Sequence, residues 1–244
     1  MTERYLDFFE EHNCKVTFFV VADGARQYPH LIRKIAEKGH EIACHTFTHI
    51  PLDKLGVHKF KADLQESLKI LSDVSSSEIK GFRAPIFSIT SQTAWAYDIL
   101  GELGFVYSSS VLPARNPLYG WPEFGREIKK MSGDVWELPV SVYSSRLLSF
   151  PFAGGIYFRL LPFIISRQFI KKSWKKNLPV LGYMHPYDID EAQERFMHPG
   201  INNSRFYNRL MYMNRKTVLD KLKKTVALNA RIIPYIDYVR EYCS

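Results

Sequence analysis

The sequence is poor in cysteine and has no long apolar run. Only three of its 244 residues are cysteines, Cys14, Cys44 and Cys243. These are too few for a disulfide framework, so we expect a reducing compartment. No run of about 18 apolar residues occurs, which excludes a membrane-spanning helix of ordinary length. The first residues lack the charged and then apolar pattern of a secretory leader, and on this ground we predict a cytoplasmic protein.

Acidic residues are outnumbered by basic ones, and the formal net charge is +8. A charge of this sign permits contact with nucleic acid, anionic lipid or an acidic polymer. Because the basic residues are mostly scattered, we predict no nucleic-acid partner. One cluster consists of Arg167, Lys171, Lys172, Lys175 and Lys176, with Phe169 and Trp174 between them. This segment could make peripheral contact with a membrane, or it could be the solvated face of an ordinary helix.

The chain is 46% hydrophobic, enough for one large core, and no repeat or linker divides it. We therefore predict a single domain over residues 1–244. The predicted strands are 16–21, 40–44, 79–82, 105–108, 135–142, 178–184 and 231–236. The predicted helices are 2–12, 29–38, 58–74, 90–103, 160–176 and 216–228. This alternation implies a parallel sheet with helices outside, either as a barrel or as a doubly wound open sheet.

One stretch, residues 39–49, combines a strand with two histidines. We predict that the strand ends at Cys44 and that a helical turn then presents His45 and His49. The four-residue spacing would bring the two imidazoles about 5–6 Å apart at their Cβ atoms. Imidazole is a common ligand of zinc and similar metals, so the pair is a candidate metal site, although such pairs also occur as surface or core residues. Cys44 alternates with His45 and should face the core.

Two further polar residues follow predicted strands. Arg83 comes after strand 79–82, and His185 comes after strand 178–184. In a parallel barrel the chemistry gathers at the carboxyl ends of the strands, where the histidine pair is also expected. We therefore predict one site built from three strand ends. A structural ion pair for Arg83 and a hydrogen-bonded core position for His185 are the plain alternatives.

Four short motifs occur along the chain: His45-Thr-Phe-Thr-His49, Gly81-Phe-Arg-Ala-Pro85, Trp136-Glu-Leu-Pro139 and Leu181-Gly-Tyr-Met-His185. In this order they resemble four of the five motifs of the NodB-homology polysaccharide deacetylases. Segments 83–90, 153–162 and 185–190 are similar to signatures of a finer group, the exosortase-associated (PEP-CTERM locus) branch. The resemblance covers nearly the whole chain, from about residue 2 to the C-terminus.

The resemblance implies a fold and a reaction. The fold would be a distorted (β/α)7 barrel of the NodB-homology type. The reaction would be metal-dependent hydrolysis of the N-acetyl groups of amino sugars, and the partner would be an N-acetylated polysaccharide or oligosaccharide, for example an exopolysaccharide. His45 and His49 would bind the divalent metal, for which zinc is the first candidate.

The resemblance also implies roles for other residues. Arg83 would orient a catalytic carboxylate, and His185 would be the general acid. Separately from the resemblance, the closeness in sequence of Asp188 and Asp190 to His185 means that either could tune it. The substrate groove would be lined by Trp136, Leu138 and Pro85. For Trp136 and Leu138, packing in the core is the alternative.

One motif of the family has no counterpart. It is an acidic pair at the end of the first strand, which supplies the base and a third metal ligand. Asp7 lies within the first predicted helix and Asp23 lies beyond the next strand, so neither takes this role. We therefore expect an N-terminally incomplete domain, little activity, and sheet edges at 16–21 and 231–236 through which a homodimer could form. The alternative is a carbohydrate-binding pseudoenzyme that lacks the Asp base.

Overall fold

The structure is a computed structural model that describes residues 1–116, 118–145, 149–198 and 203–243. The chain forms two compact units. The first, here called the sheet unit, comprises Cys14–Val140 and Ile232–Ser244. The second, the helical unit, comprises Met1–Asn13 and Ser141–Arg231. None of the described helices combines the length and the apolar character needed to cross a membrane.

The helices are α1 (Thr2–Glu11), α2 (Ala22–Gln27), α3 (Pro29–Glu37), α4 (Leu52–Ser75), α5 (Ala96–Glu102), α6 (Gly155–Leu160), α7 (Phe163–Trp174), α8 (Arg205–Leu210), α9 (Val218–Val226) and α10 (Tyr235–Tyr242). The strands are β1 (Thr17–Val20), β2 (Glu41–Cys44), β3 (Gly81–Phe82), β4 (Tyr107–Ser108), β5 (Lys129–Lys130), β6 (Trp136–Glu137), β7 (Val142–Ser144) and β8 (Ser149–Pro151).

The sheet unit is built on six strands in the order β1-β2-β3-β4-β6-β5, and all neighbours are parallel except β5 and β6. The register aligns the carboxyl ends of the central strands. Cys44 lies beside Phe82, Phe82 beside Ser108, and Ser108 beside Glu137. The residues that follow these strands therefore emerge at one edge of the sheet. Among the described residues β1 pairs only with β2, so β1 is an edge strand.

Apolar residues at helical spacing fix the longest helix of the sheet unit. Phe60, Leu64 and Leu71 of α4 are fully buried, which is the pattern expected of an amphipathic helix on a sheet. The helix begins earlier than predicted, at Leu52, because its first turn is joined to the rest across a kink at Gly56, where φ is 71°.

The helical unit has two apolar clusters. One contains Tyr5, Phe158, Ile189 and Val218, and the other contains Phe152, Ala153 and Ile170. The basic cluster lies on α7 and the residues that follow it. Phe169 and Trp174 pack against the second apolar cluster. The exposed basic residues are Lys171, Lys172, Lys175 and Lys176. The aromatic residues of this segment thus face inward and its lysines face solvent.

Two predicted strands are wrong. Segment 231–236 is irregular up to Pro234, and α10 begins at Tyr235. The amides of Tyr235 and Ile236 donate to the side chains of Thr17 and Glu41 instead of to a neighbouring strand. Segment 178–184 is reduced to one isolated parallel bridge.

The loss of strand 178–184 has a local cause. Pro179 lacks an amide donor. The amide of Leu181 donates to the hydroxyl of Ser141 rather than to a strand. The single bridge joins Tyr183 to Gly154.

Other predicted elements exist with different bounds. The predicted helix 160–176 corresponds to α7, which begins later than predicted, after Pro162, and its first predicted residue, Leu160, is instead the last residue of α6. The predicted helix 90–103 is confined to α5. The predicted strand 135–142 contains β6 and the first residue of β7, with no strand between them.

Candidate active site

The histidine loop follows β2 directly. The amide of His45 donates to the carbonyl oxygen of Val20 at 2.9 Å, which continues the strand pairing by one residue. The predicted helical turn does not form. Instead Thr46 and His49 both have a left-handed backbone, each with φ of 61°. The amide of Phe47 donates to Asp63 of α4 at 2.9 Å, and this contact holds the loop.

The loop nevertheless brings the two imidazoles together. The ring centroids of His45 and His49 are 4.7 Å apart, and their planes are inclined by 77°. Nδ1 of His45 lies 2.7 Å from the carbonyl oxygen of Arg83. Because a carbonyl oxygen only accepts, Nδ1 carries the ring proton and the lone pair of the neutral ring is on Nε2. Metal-binding histidines typically make this kind of contact to a backbone carbonyl.

Arg83 lies in the next loop, and its side chain is 8% exposed. Its backbone amide donates to the carbonyl oxygen of Cys44 at 2.9 Å. The guanidinium donates from Nε to the carbonyl oxygen of Ser109 at 2.8 Å, and from Nη2 to the hydroxyls of Ser109 at 2.8 Å and Tyr235 at 2.9 Å. Its central carbon lies 4.0 Å from the ring centroid of Phe19. These contacts offset part of the cost of burying a cation.

No carboxylate pairs with Arg83 among the residues that the structure describes. Within this part of the chain, Arg83 therefore has no partner for the structural ion pair that was the alternative interpretation. A buried guanidinium without an anion is costly. Orientation of a carboxylate by Arg83 stays a prediction.

A buried glutamate supports the loop that binds Arg83, and sequence reasoning missed it. Glu137 is fully buried, and Oε1 accepts from the amides of Ser110 and Val111, each at 2.8 Å. Oε2 accepts from the hydroxyl of Tyr97 at 3.1 Å. The Ser110 hydroxyl in turn accepts from the amide of Ala84 at 2.8 Å. Burial raises the pKa of Glu137. The available signal was a charged residue inside an otherwise apolar motif, Trp136-Glu-Leu-Pro139.

The three predicted groove residues belong to the sheet unit. Leu138 is fully buried, Pro85 is buried, and Trp136 is partly buried with the ammonium of Lys130 5.9 Å from its ring centroid. Ile86, the residue after Pro85, has φ of 53°, which is unusual for a β-branched side chain. Contact of these residues with a substrate stays a prediction.

His185 lies in the helical unit, at the start of a short 3₁₀ turn, Pro186–Ile189. Its ring stacks on that of Tyr187, with centroids 4.6 Å apart and an interplanar angle of 8°. Oδ2 of Asp188 accepts from the His185 amide at 2.8 Å and lies 3.2 Å from Nδ1. The other candidate, Asp190, accepts instead from the amide of Ala192. The His185 side chain is 41% exposed.

The donor set fits a divalent metal in part. Two neighbouring imidazoles suit zinc, but a catalytic zinc site usually has three protein ligands. Within the described residues no group of three candidate ligands comes together. Asp23, which follows β1, has its two carboxylate oxygens bonded to Arg26 and Gln27 of its own helix. The pair thus accounts for two ligands of such a site.

Comparison with known proteins agrees with these motifs. Residues 1–107 match the family model described as polysaccharide deacetylase, and residues 109–230 match a domain of unknown function, DUF3473. The chain is 31% identical over 96 residues to a peptidoglycan-N-acetylglucosamine deacetylase of Bacillus cereus, covering 39% of this chain and 35% of that protein. It is 33% identical over 100 residues to a chitooligosaccharide deacetylase of Sinorhizobium fredii, covering 41% and 44%.

The chain thus spans less than half the length of these two relatives. The solved structure of PuuE allantoinase superposes with a TM-score of 0.62 at 14% identity, covering 99% of this chain and 71% of that one. The predicted fold class, an α/β fold of the (β/α)-barrel type with a parallel sheet, is confirmed. The family matches agree with the motifs: the resemblance to the polysaccharide deacetylases is confirmed over residues 1–107, and through residues 109–230 the chain belongs to the DUF3473 family.

Proposed function

We propose that this chain carries the metal-binding histidines, the buried arginine and the proton donor of a hydrolase that removes N-acetyl groups from the amino sugars of a polysaccharide. The observation that carries the proposal is the histidine pair, with ring centroids 4.7 Å apart and Nδ1 of His45 held by the Arg83 carbonyl. The two relatives, a peptidoglycan-N-acetylglucosamine deacetylase and a chitooligosaccharide deacetylase, support the substrate class.

The proposed roles follow from the residue types. His45 and His49 would hold a divalent metal, with zinc as the first candidate, and such an ion supplies Lewis acid polarisation of the amide carbonyl. His185 would give a proton to the departing amine nitrogen, a role suited to a half-exposed imidazole. Arg83 would orient a carboxylate base, since its buried guanidinium needs an anion. No residue of the described chain is assigned as that base.

The setting and the groove are also part of the proposal. The DUF3473 match is consistent with the exosortase-associated branch, so we propose an exopolysaccharide as the N-acetylated substrate. Trp136, Leu138 and Pro85 would border the groove for the acetyl group.

The edge position of β1 supports a homodimer through that strand. The exposed lysines of α7 support peripheral membrane contact through charge, since Phe169 and Trp174 are packed inward.

A second candidate function is carbohydrate binding without catalysis. The observation that favours it is that the guanidinium of Arg83 has no carboxylate partner among the described residues. A protein that lacks the base would keep the histidine pair and the groove but would not turn over its substrate.

The deciding experiment measures acetate release from an N-acetylated chitooligosaccharide with added zinc. It compares this chain with a version that carries, ahead of Met1, an apolar strand ending in an acidic pair. We expect little release by the chain alone and a clear gain in the extended version, because a positioned base contributes roughly 10²–10⁴-fold. His45→Ala and His49→Ala should abolish that gain.

His58→Ala is the matched control, because His58 is an exposed histidine on α4. Equal and substantial activity of the two versions would show that a residue within the chain acts as base. No activity in either version, with substrate binding retained, would favour the pseudoenzyme.

A further inference from the structure

A buried ion pair lies behind His185. Arg159 of α6 is fully buried, and so is Asp188. Nε of Arg159 is 2.9 Å from Oδ1 of Asp188, within ion-pair distance, although the N–H is not aligned well enough to count as a hydrogen bond. Nη1 of Arg159 donates to the carbonyl oxygens of Met211 at 2.7 Å and Met213 at 3.2 Å. Because an unpaired charge is expensive to bury, each partner requires the other.

The two oxygens of Asp188 serve different groups. Oδ1 faces Arg159, whereas Oδ2 accepts from the His185 amide and lies 3.2 Å from Nδ1 of the same residue. A carboxylate only accepts, so Nδ1 carries a proton in the neutral ring. Nε2 is then the nitrogen that carries the lone pair of the neutral ring, and it is the one that gains and loses the second proton. The other groups that face His185 within the helical unit are the rings of Tyr183 and Tyr187 and the hydroxyl of Tyr5, which donates to the His185 carbonyl.

The helix that carries Arg159 is fixed at both ends. Nζ of Lys221 donates to the carbonyl oxygens of Phe158, Arg159 and Leu161 at 2.8–3.0 Å and so satisfies the last turn of α6. At the other end, a Cβ on Gly154 would lie 2.4 Å from the ring of Tyr183, so only glycine permits this approach. The segment 153–162 is therefore anchored directly to the stretch that leads into His185.

We infer that segment 153–162 is a positioning device for His185, in which Arg159 holds Asp188 and Asp188 fixes the ring orientation and the proton position of His185. Arg159 is a positioning residue, and it touches no reacting atom. This inference rests on the proposed function, in which His185 is the proton donor. It gives the DUF3473 half of the chain a specific role in the reaction.

The first test reads the tautomer directly. The ¹⁵N chemical shifts of the His185 ring are measured in the full chain, at a pH about two units above the ordinary histidine pKa of about 6.5. We expect Nδ1 to carry the proton in the native chain. A ring that carries its proton mainly on Nε2 would overturn the inference without any variant.

The variants separate positioning from stability. In Asp188→Asn the side chain has a single oxygen, which the guanidinium of Arg159 should attract, so that the amide NH₂ faces His185 and the proton shifts to Nε2. In the double variant Asp188→Asn with Arg159→Met, that oxygen can turn back to His185 and restore the Nδ1 proton. A purely structural ion pair would change stability in these variants and leave the tautomer unchanged. Asp190→Asn is the control and should leave the His185 signals in place, because Asp190 contacts Ala192 instead.

The activity arm uses the version extended with an acidic strand. There Asp188→Asn should lower kcat by about 10²–10⁴-fold with little change in KM, the range for loss of an acid catalyst. If that version is active but the tautomers do not follow the expected order, the inference fails and the proposed function stands. If the tautomers follow the order but no version releases acetate, the proposed function fails and the positioning arrangement remains.

Discussion

Removal of the Glu137 carboxylate should destabilise the sheet unit in a way that the contacts predict. In Glu137→Leu the amides of Ser110 and Val111 and the hydroxyl of Tyr97 lose their acceptor inside the core. Each buried donor without a partner costs about 1–3 kcal/mol, so the loss should be roughly 3–9 kcal/mol. Typical domains have only about 5–15 kcal/mol of stability, and this variant should therefore be largely unfolded or melted locally.

Glu137→Gln should cost much less, about 1 kcal/mol, because its oxygen can still accept from both amides and its NH₂ can donate to the Tyr97 hydroxyl. This variant also tests the ionisation of the site. Burial raises the pKa of Glu137 above its ordinary value of 4.5, so the folded state holds a proton at a pH where the unfolded chain has lost it. The contribution of this group to stability is then greatest below the ordinary pKa and is lost as the pH rises through the folded one. The glutamine has no such dependence.

The assay is urea unfolding followed by tryptophan fluorescence and circular dichroism from about pH 4, below the ordinary pKa of a glutamate, to about pH 8. The difference in unfolding free energy between the native chain and Glu137→Gln should shift with pH in favour of the variant as the pH rises. Glu102→Gln, at an exposed position of α5, is the control and should show a small, nearly flat difference. The reasoning is refuted if Glu137→Leu is as stable as the native chain, or if the glutamine difference does not change with pH.

Three further predictions concern the histidine pair, the buried lysine Lys221 and the backbone at Ile86. Zinc titration by calorimetry should give one weak site that His45→Ala and His49→Ala each remove and His58→Ala retains, and binding that survives both loop variants would contradict the pair as ligands. Lys221→Met should lower the unfolding free energy by roughly 2–4 kcal/mol because three carbonyls lose their donor, while exposed Lys223→Met should stay within about 0.5 kcal/mol in the same urea assay. Ile86→Asn should raise the melting temperature, since asparagine tolerates the left-handed backbone that costs isoleucine about 1–2 kcal/mol; an unchanged or lower value would argue against strain there.

The parts of the fold that could be predicted depend on local pattern. The run Thr17–Val20 consists of β-branched and aromatic residues and forms the strand that it predicts. The sequence correctly predicts that the two histidines lie close together, but the predicted cause, a helical turn, is wrong. That turn is absent, and the rings meet because Thr46 and His49 adopt positive φ in a loop held by Asp63 from a distant helix. Spacing within the motif carries no information about that contact.

The elements that could not be predicted depend on partners far away in sequence. Segment 231–236 has the composition of a strand, yet the amides of Tyr235 and Ile236 bond to Thr17 and Glu41, 218 and 195 residues away. Arg159 and Glu137 likewise read as ordinary charged residues until their partners are known. Whether such a residue is solvated or buried depends on residues that are far away in the sequence. A short stretch of sequence around the residue does not contain those partners.

Buried charge is concentrated in and next to the motif segments, in each of the two units. Among the described residues the buried Arg, Lys, Asp and Glu side chains are Arg83, Glu137, Arg159, Asp188, Arg215 and Lys221. The first four belong to the motif segments, and the last two donate to backbone carbonyls of those segments, Asp190 for Arg215 and α6 for Lys221. A core needs no such groups, because apolar residues of similar volume often give equal or greater stability. Their presence in and around the motifs supports the proposal that they hold particular backbone and side-chain atoms in place.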